Sequence, residues 1–349
     1  MTMQRVEPGG PQPQPPPEAR LIGLTTAAWV AQALNVVAAL GVADHLADGP
    51  RTVDELAAAV GADGPSLYRV LRVLADVEVV AELDGRRFAL AELGEPLRRD
   101  APVSLRAWAE MAGAPFHMQA LTDLVGAVRT GEPAFERVHG RQAFDWLRDH
   151  PAEWALLNDA MTGASSPAVA EVLTAYDFSA AGTVIDVGGG HGVLLAALLQ
   201  AHPHLHGVVY DLPEVVAGAA PRLDGAGVGA RASAVGGDFF RSVPTGADVH
   251  VLANIIHDWD DDRAVRILAN CRAALNPGGR VLLGEALLPD GPGPSLAKLV
   301  DLEMLVMGTG RQRSEVDYRA LFRRAGLELV GIGPSNPMYS VVEAVVGRG

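Results

Sequence analysis

The run Thr183-Val-Ile-Asp-Val-Gly-Gly-Gly-His-Gly-Val193 limits what this chain can fold into more than any other segment. Thr183 to Val187 reads as a buried parallel strand, and Val193 to Ala201 reads as the helix that follows it. Between them, Gly188, Gly189, Gly190 and Gly192 let the backbone turn tightly and come close to a ligand. A strand, a glycine loop and a helix N-terminus make an α/β unit suited to a nucleotide-like ligand. A dinucleotide fingerprint would require glycine at position 193, which is Val193, so a nicotinamide dehydrogenase is the disfavoured enzyme reading. Glycines also turn chains for steric reasons alone, so the loop has to be weighed with the strands downstream of it.

Three later features supply that weight. Val208-Val-Tyr-Asp211 has the form of a second strand ending in an acid about 20 residues past the loop, where a carboxylate can accept both ribose hydroxyls. Gly237-Asp238-Phe239 closes a third candidate strand, offering an acceptor for an exocyclic amine and a ring to lie against adenine. His257-Asp258-Trp259 ends the apolar run Val249 to Ile256. Ligands of open α/β sheets bind at the carboxyl ends of the strands, so the four features converge on one rim.

The spacing Asp186-x-Gly188-x-Gly190-x-Gly192 resembles the first motif of S-adenosylmethionine methyltransferases. With the other three features, residues 20 to 347 resemble the small-molecule O-methyltransferases typified by plant caffeic acid and chalcone O-methyltransferases, which have bacterial relatives acting on natural-product aromatics. The resemblance implies an α/β fold: a Rossmann-like S-adenosylmethionine domain at the C-terminus and a helical, winged-helix-like dimerisation domain at the N-terminus. It implies a cofactor site at Asp186, Gly188, Gly190, Asp211, Asp238 and Phe239, with no metal. It implies a catalytic set of His257 as general base, Asp258 beside it, and Glu285 and Glu315 flanking the ring, in Gly284-Glu-Ala-Leu-Leu-Pro289 and Arg313-Ser-Glu315. Leu157-Asn-Asp-Ala-Met161 resembles the segment whose asparagine and methionine approach cofactor and acceptor, which brings in Asn158 and Met161, and Trp259, Met304 and Met307 complete the expected substrate side. Ala253 departs from the plant pattern of a lysine near the cofactor, and that contact is not carried over.

Composition bounds the alternatives. A chain of 349 residues, 49% hydrophobic, can bury a large core in two domains. A formal charge of −14 opposes a nucleic-acid backbone or an anionic membrane surface as partner. One cysteine, Cys271, allows no internal disulfide and reads as an inert buried thiol, pointing to a reducing cytoplasm. Six prolines among residues 8 to 17 replace the apolar core of a signal peptide, so residues 1–18 read as a disordered or polyproline-like tail. The apolar stretch Leu21 to Leu46 is interrupted by Gln32, Asn35, Asp44 and His45, which favours one or two helices buried against protein, and a homodimer interface, over a membrane span.

Residues 19–105 form the expected N-terminal domain. Thr52-Val-Asp-Glu-Leu begins like a capped helix, Ser66 to Val77 has helical spacing, and Val79 to Leu90 alternates like a hairpin about Asp84-Gly85. That winged-helix pattern makes a DNA-binding regulator the rival of a different class. Residues 20 to 105 carry 8 basic against 12 acidic side chains, and Arg69 and Arg72 are the only bases in the would-be recognition helix, which weighs against it. Residues 106–175 read as a helical linker and pocket region, and 176–349 as the catalytic domain. Asp258, Asp260, Asp261 and Asp262 invite a magnesium reading, but acids there complement the dipole of an Asp260 to Leu275 helix. The implied reaction is methyl transfer to the hydroxyl of a small aromatic natural product, with His257 taking the proton during attack. A relative that binds the same cofactor but catalyses hydroxylation, decarboxylation or a pericyclic step stands beside it.

Overall fold

A computed structural model describes residues 15–333 and 339–347, and contacts divide the chain between Arg98 and Arg99 into two compact units. Most of the proline-rich tail lies outside the described residues, and its expected end is corrected: a helix already begins at Pro17. Proline is favoured at a first helical position, where its missing N–H is not needed, and Glu18 follows in the first turn.

In the first unit, Pro17–Leu40 and Val42–Leu46 are separate helices because Gly41 takes a left-handed conformation at φ 67°. The Thr52–Glu55 capping box starts the Val53–Val60 helix, and Gly64–Asp76 follows. Strands β1 (Arg51–Thr52), β2 (Val80–Leu83) and β3 (Arg87–Leu90) form a small antiparallel sheet in the order β1-β3-β2, completing a winged-helix arrangement over Leu56, Leu71, Leu74 and Phe88. The first helix is buried only toward its end, at Ala33, Val37 and Ala38. Leu21, Ile22, Leu24 and Trp29 are exposed, so the expected burial of this stretch is not met within one chain. Its 24 residues are long and apolar enough to cross a membrane by length and composition, which the polar interruptions in the sequence had concealed.

The second unit opens with helices between Arg106 and Ala175, packed on a core of Met111, Phe116, Phe135 and Leu147. A seven-stranded sheet follows: β4 (Thr183–Val187), β5 (His206–Asp211), β6 (Ala232–Gly236), β7 (Ala247–Ala253), β8 (Leu275–Glu285), β9 (Leu327–Ile332) and β10 (Ser340–Val346). Its order is β6-β5-β4-β7-β8-β10-β9, with β4 to β8 parallel and β10 antiparallel between β8 and β9. Apolar clusters built on Ile185, Leu252, Leu268 and Phe322, and on Val184, Leu195, Leu199 and Val251, hold the helices to it. Strand order reverses at β4, between β5 and β7, and such a switch point opens a crevice at the carboxyl edge. Cys271 lies buried in the Asp261–Ala274 helix, and burial pushes its thiol up to about 12, the inert state expected of it.

Candidate active site

The glycine loop leaves β4 at this crevice. Gly188, at φ 74°, donates its N–H to the Tyr210 carbonyl at 2.7 Å, and any Cβ there would collide with Ile255. Gly190, at φ 55°, has open space where a side chain would stand. Asp211, at the end of β5, accepts the Gly190 N–H on one carboxylate oxygen at 2.8 Å and the Leu212 N–H on the other at 2.7 Å. Each oxygen keeps a lone pair for an outside donor. Burial raises the Asp211 carboxyl above its ordinary range. Asp186, 2% exposed, has one carboxylate oxygen with no partner among the described residues; burial first, and then the Asp211 charge, push it up to about 7. A buried acid with one oxygen unpaired among the described residues, beneath an open glycine loop and next to a second acid with free lone pairs, fits a hydroxylated and positively charged ligand such as S-adenosylmethionine.

Asp238 sits just past β6 and accepts the Phe240 N–H at 2.8 Å. Phe239 turns its ring toward Trp259, centroid to centroid 6.0 Å at 77°. Trp259 also meets Phe240 at 4.7 Å edge-on and stacks on Phe144 at 5.6 Å, while its indole N–H is buried without a partner among the described residues. The Pro151–Ala164 helix carries Asn158 and Met161; Thr162 bonds back to the Asn158 carbonyl and lies 3.4 Å from Nδ1 of His191, which sets this helix beside the glycine loop. Met304 and Met307 lie on the Leu296–Met307 helix; Met307 packs on the helical core, and Met304 is half-buried.

His257 stands in a short 3₁₀ turn, Ile256–Asp258. Asn254, left-handed at φ 57°, turns the chain out of β7 toward it. Glu285, fully buried at the end of β8, accepts the Ile256 N–H at 2.9 Å and reaches Nδ1 of His257 with its other oxygen at 2.5 Å. Asp258 lies 3.4 Å from Nε2. Burial lowers the imidazole's proton affinity, but the charges of Glu285 and Asp258 and the Glu285 hydrogen bond more than reverse this and raise it to about 9. Burial also raises Asp258, to about 6, against the pull of His257.

Glu315 is a correction. It begins the Glu315–Ala325 helix, its side chain half-exposed and paired with Arg319 at 2.8 Å, and makes no contact with His257. The Ser314–Asp317 capping box starts the helix there, so Glu315 falls in a solvated first turn. Arg313, two residues earlier, is the one that reaches the His257 loop: fully buried, it donates to the Ile256 carbonyl at 2.9 Å and the Trp259 carbonyl at 2.7 Å and pairs with Asp261 at 2.8 Å. The acidic run is likewise absorbed by structure. Asp260 caps the following helix, Asp261 and Asp262 pair with Arg313 and Arg324, and the described residues contain no metal-binding group of three acids, histidines or cysteines. The signal for Arg313 was the match of one basic residue to Asp261, 52 positions earlier, and only the fold supplies that pairing.

Comparison with known proteins agrees with this geometry. The O-methyltransferase domain model matches residues 121–328, and the O-methyltransferase dimerisation domain model matches residues 22–99. The phenazine O-methyltransferase PhzM of Lysobacter antibioticus is 41% identical, covering 93% of this chain and 95% of its own length. The crystal structure of CalO1, a methyltransferase in calicheamicin biosynthesis, in its S-adenosylhomocysteine-bound form, superposes with a TM-score of 0.82 at 40% identity, covering 94% of this chain and 97% of that one. The aclacinomycin 10-hydroxylase RdmB of Streptomyces purpurascens is 36% identical, over 85% of this chain and 81% of its own. With both domain models in one chain and a phenazine O-methyltransferase 41% identical over 93% of it, this protein belongs to the O-methyltransferase family and is an S-adenosylmethionine-dependent enzyme of it.

Proposed function

We propose that this enzyme methylates a phenolic hydroxyl of a small aromatic natural product, with His257 as general base. The observation that carries the reading is the 2.5 Å contact between Nδ1 of His257 and buried Glu285, at the same sheet edge as the glycine loop. Glu285 engages Nδ1, leaving Nε2 as the nitrogen that takes the acceptor's proton. Bound S-adenosylmethionine supplies a methyl group on a positive sulfur, whose charge also favours the neutral imidazole. Because a phenol holds its proton to about pH 10, His257 removes it as the oxygen attacks, and Glu285 stabilises the imidazolium that forms. Arg313 fixes the loop from below. The hydroxylase among the relatives supports a second reading, in which the cofactor is held and no methyl moves. Production of S-adenosylhomocysteine and a methylated product from a panel of hydroxyaromatic compounds tests one against the other; a changed acceptor without a new methyl group favours the second.

Asp211→Ala is expected to weaken S-adenosylmethionine binding by about 1.5 to 3 kcal/mol, the range for hydrogen bonds to a charged group. Calorimetry giving an unchanged affinity would remove Asp211 from the site.

The pH dependence follows from His257. With its imidazole raised to about 9 in the ligand-free protein, the base is mostly protonated at neutral pH, and activity should climb as pH rises. Glu285→Gln keeps an oxygen for the Ile256 N–H but deletes the largest raising charge, so the NMR titration of His257 should move to lower pH, and the rising limb of activity with it. An unmoved titration would show that Glu285 does not set the charge of His257.

The exposed apolar side of the Pro17–Leu40 helix, within the matched dimerisation domain, supports a homodimer. The enzyme should sediment as a dimer, and deleting residues 20–48 should leave aggregated or unfolded protein. A stable, active monomer would refute the assembly. We place the enzyme in the cytoplasm, a reading supported by its single, buried cysteine.

A further inference from the structure

Gly308 to Ser314 runs from the Leu296–Met307 helix to the cap of the next one, directly against the base. A methyl group on Gly310 would collide with the His257 carbonyl oxygen, so the segment lies on the loop that carries the imidazole. Arg311 and Arg313 both reach Asp261. Gln312, between them, ties its backbone N–H to Asp301 at 2.9 Å, one turn before Met304. Its side chain is 1% exposed, and neither Oε1 nor Nε2 has a hydrogen-bond partner among the described residues. Thr309 to Arg311 border a surface cleft with Lys298 and Asp301, but Gln312 is not part of that wall.

A buried carboxamide offers one acceptor oxygen and two donor hydrogens, and leaving all of them unpaired is unfavourable enough that native proteins rarely do so. The backbone N–H of Gln312 is held by Asp301 on the helix of Met304, and Gly310, two residues earlier, abuts the His257 carbonyl, so the residue that carries the unpaired amide sits between the loop of the proposed base and that helix. We infer that Gln312 is a specificity-determining contact for the acceptor, selecting hydroxyaromatic compounds that carry a second hydrogen-bonding substituent, hydroxyl, amino or carbonyl, beside the hydroxyl that meets His257. This rests on the reading of the crevice as the acceptor site. An acceptor with hydrogen in that place leaves the amide unpaired, and a site built to hydrogen-bond a substituent discriminates strongly against the analogue lacking it.

The test compares 2,3-dihydroxynaphthalene with 2-naphthol, as ligands of the S-adenosylhomocysteine-loaded enzyme and as substrates with S-adenosylmethionine. Wild type should bind the diol about 10-fold more tightly, the scale of one buried hydrogen bond. Gln312→Met, similar in length and apolar, should erase that preference, leave 2-naphthol within about twofold, and melt no earlier than wild type in the ligand-free state, because it removes a partnerless buried amide. Equal binding of the two probes by wild type, no binding of either, or an earlier melt for Gln312→Met overturns the inference. Binding preference without any methylation would leave Gln312 in place and strike the methyl-transfer reading; methylation of both without preference would do the reverse.

Discussion

His257→Ala should lower turnover by about 10² to 10⁴, the loss expected for a general base, while S-adenosylmethionine binds nearly as before. The split follows from the geometry. The groups around the glycine loop are Asp186, Gly190 and Asp211, and none of them touches the imidazole, whose partners are Glu285 and Asp258. Because Glu285 acts through the ring, adding Glu285→Gln to His257→Ala should cost little further activity, whereas independent contributions would multiply. Steady-state rates with calorimetric cofactor affinities measure both. A variant working near the wild-type rate at neutral pH would mean an acceptor already ionised, or a different reaction.

Arg313→Ala should be the most damaging change outside the reacting groups. A guanidinium with no exposure, bonded to the carbonyls of Ile256, Trp259 and Arg311 and to one carboxylate, leaves a void when cut back and takes the short donor from the Ile256 and Trp259 carbonyls, of which Ile256 keeps only the Trp259 N–H at 3.3 Å. Removing one partner of a buried charged pair costs about 3 to 5 kcal/mol; Asp261 is partly solvated and keeps Arg311, so about 3 kcal/mol is expected here. For a unit the size of residues 99–349 that lowers the melting temperature by several degrees, since about 1 kcal/mol moves Tm by roughly 2 to 4 °C. Turnover should fall too, because the freed carbonyls belong to the residues flanking His257 and Asp258. Arg313→Lys should restore part of the stability and little of the geometry, since a single ammonium cannot span the acceptors that surround the planar fork. A variant that melts with wild type would show that the loop holds itself.

What the sequence disclosed was local. Thr183–Val187 and Val193–Ala201 stand where periodicity put them, and the hairpin about Asp84-Gly85 and the Thr52 cap follow short-range rules. These features depend on neighbours a few residues apart. The pairing of Glu285 with His257 came from family resemblance, and the Asp261–Arg313 pair spans 52 residues; no short-range pattern encodes either. Glu315 was misplaced for the same reason. The family resemblance implied it as a partner for His257, but the Ser314–Asp317 capping box decided where it went. Gln312 was passed over because a neutral amide between two arginines reads as surface, and only its burial marks it out.

Glu285 ends a strand flanked on both sides, with Gly284 opposite Ala253 on β7 and Glu285 itself opposite Ser340 on β10. The proposed proton-accepting pair is therefore anchored to a strand hydrogen-bonded along both of its edges. The half-buried Asn158 and Met304 stand on helices that can be repacked one side chain at a time. On the proposed function, a lineage built this way would change what it modifies by substitutions on those helices and inherit its proton chemistry intact, so new acceptors would lie within reach of a few mutations.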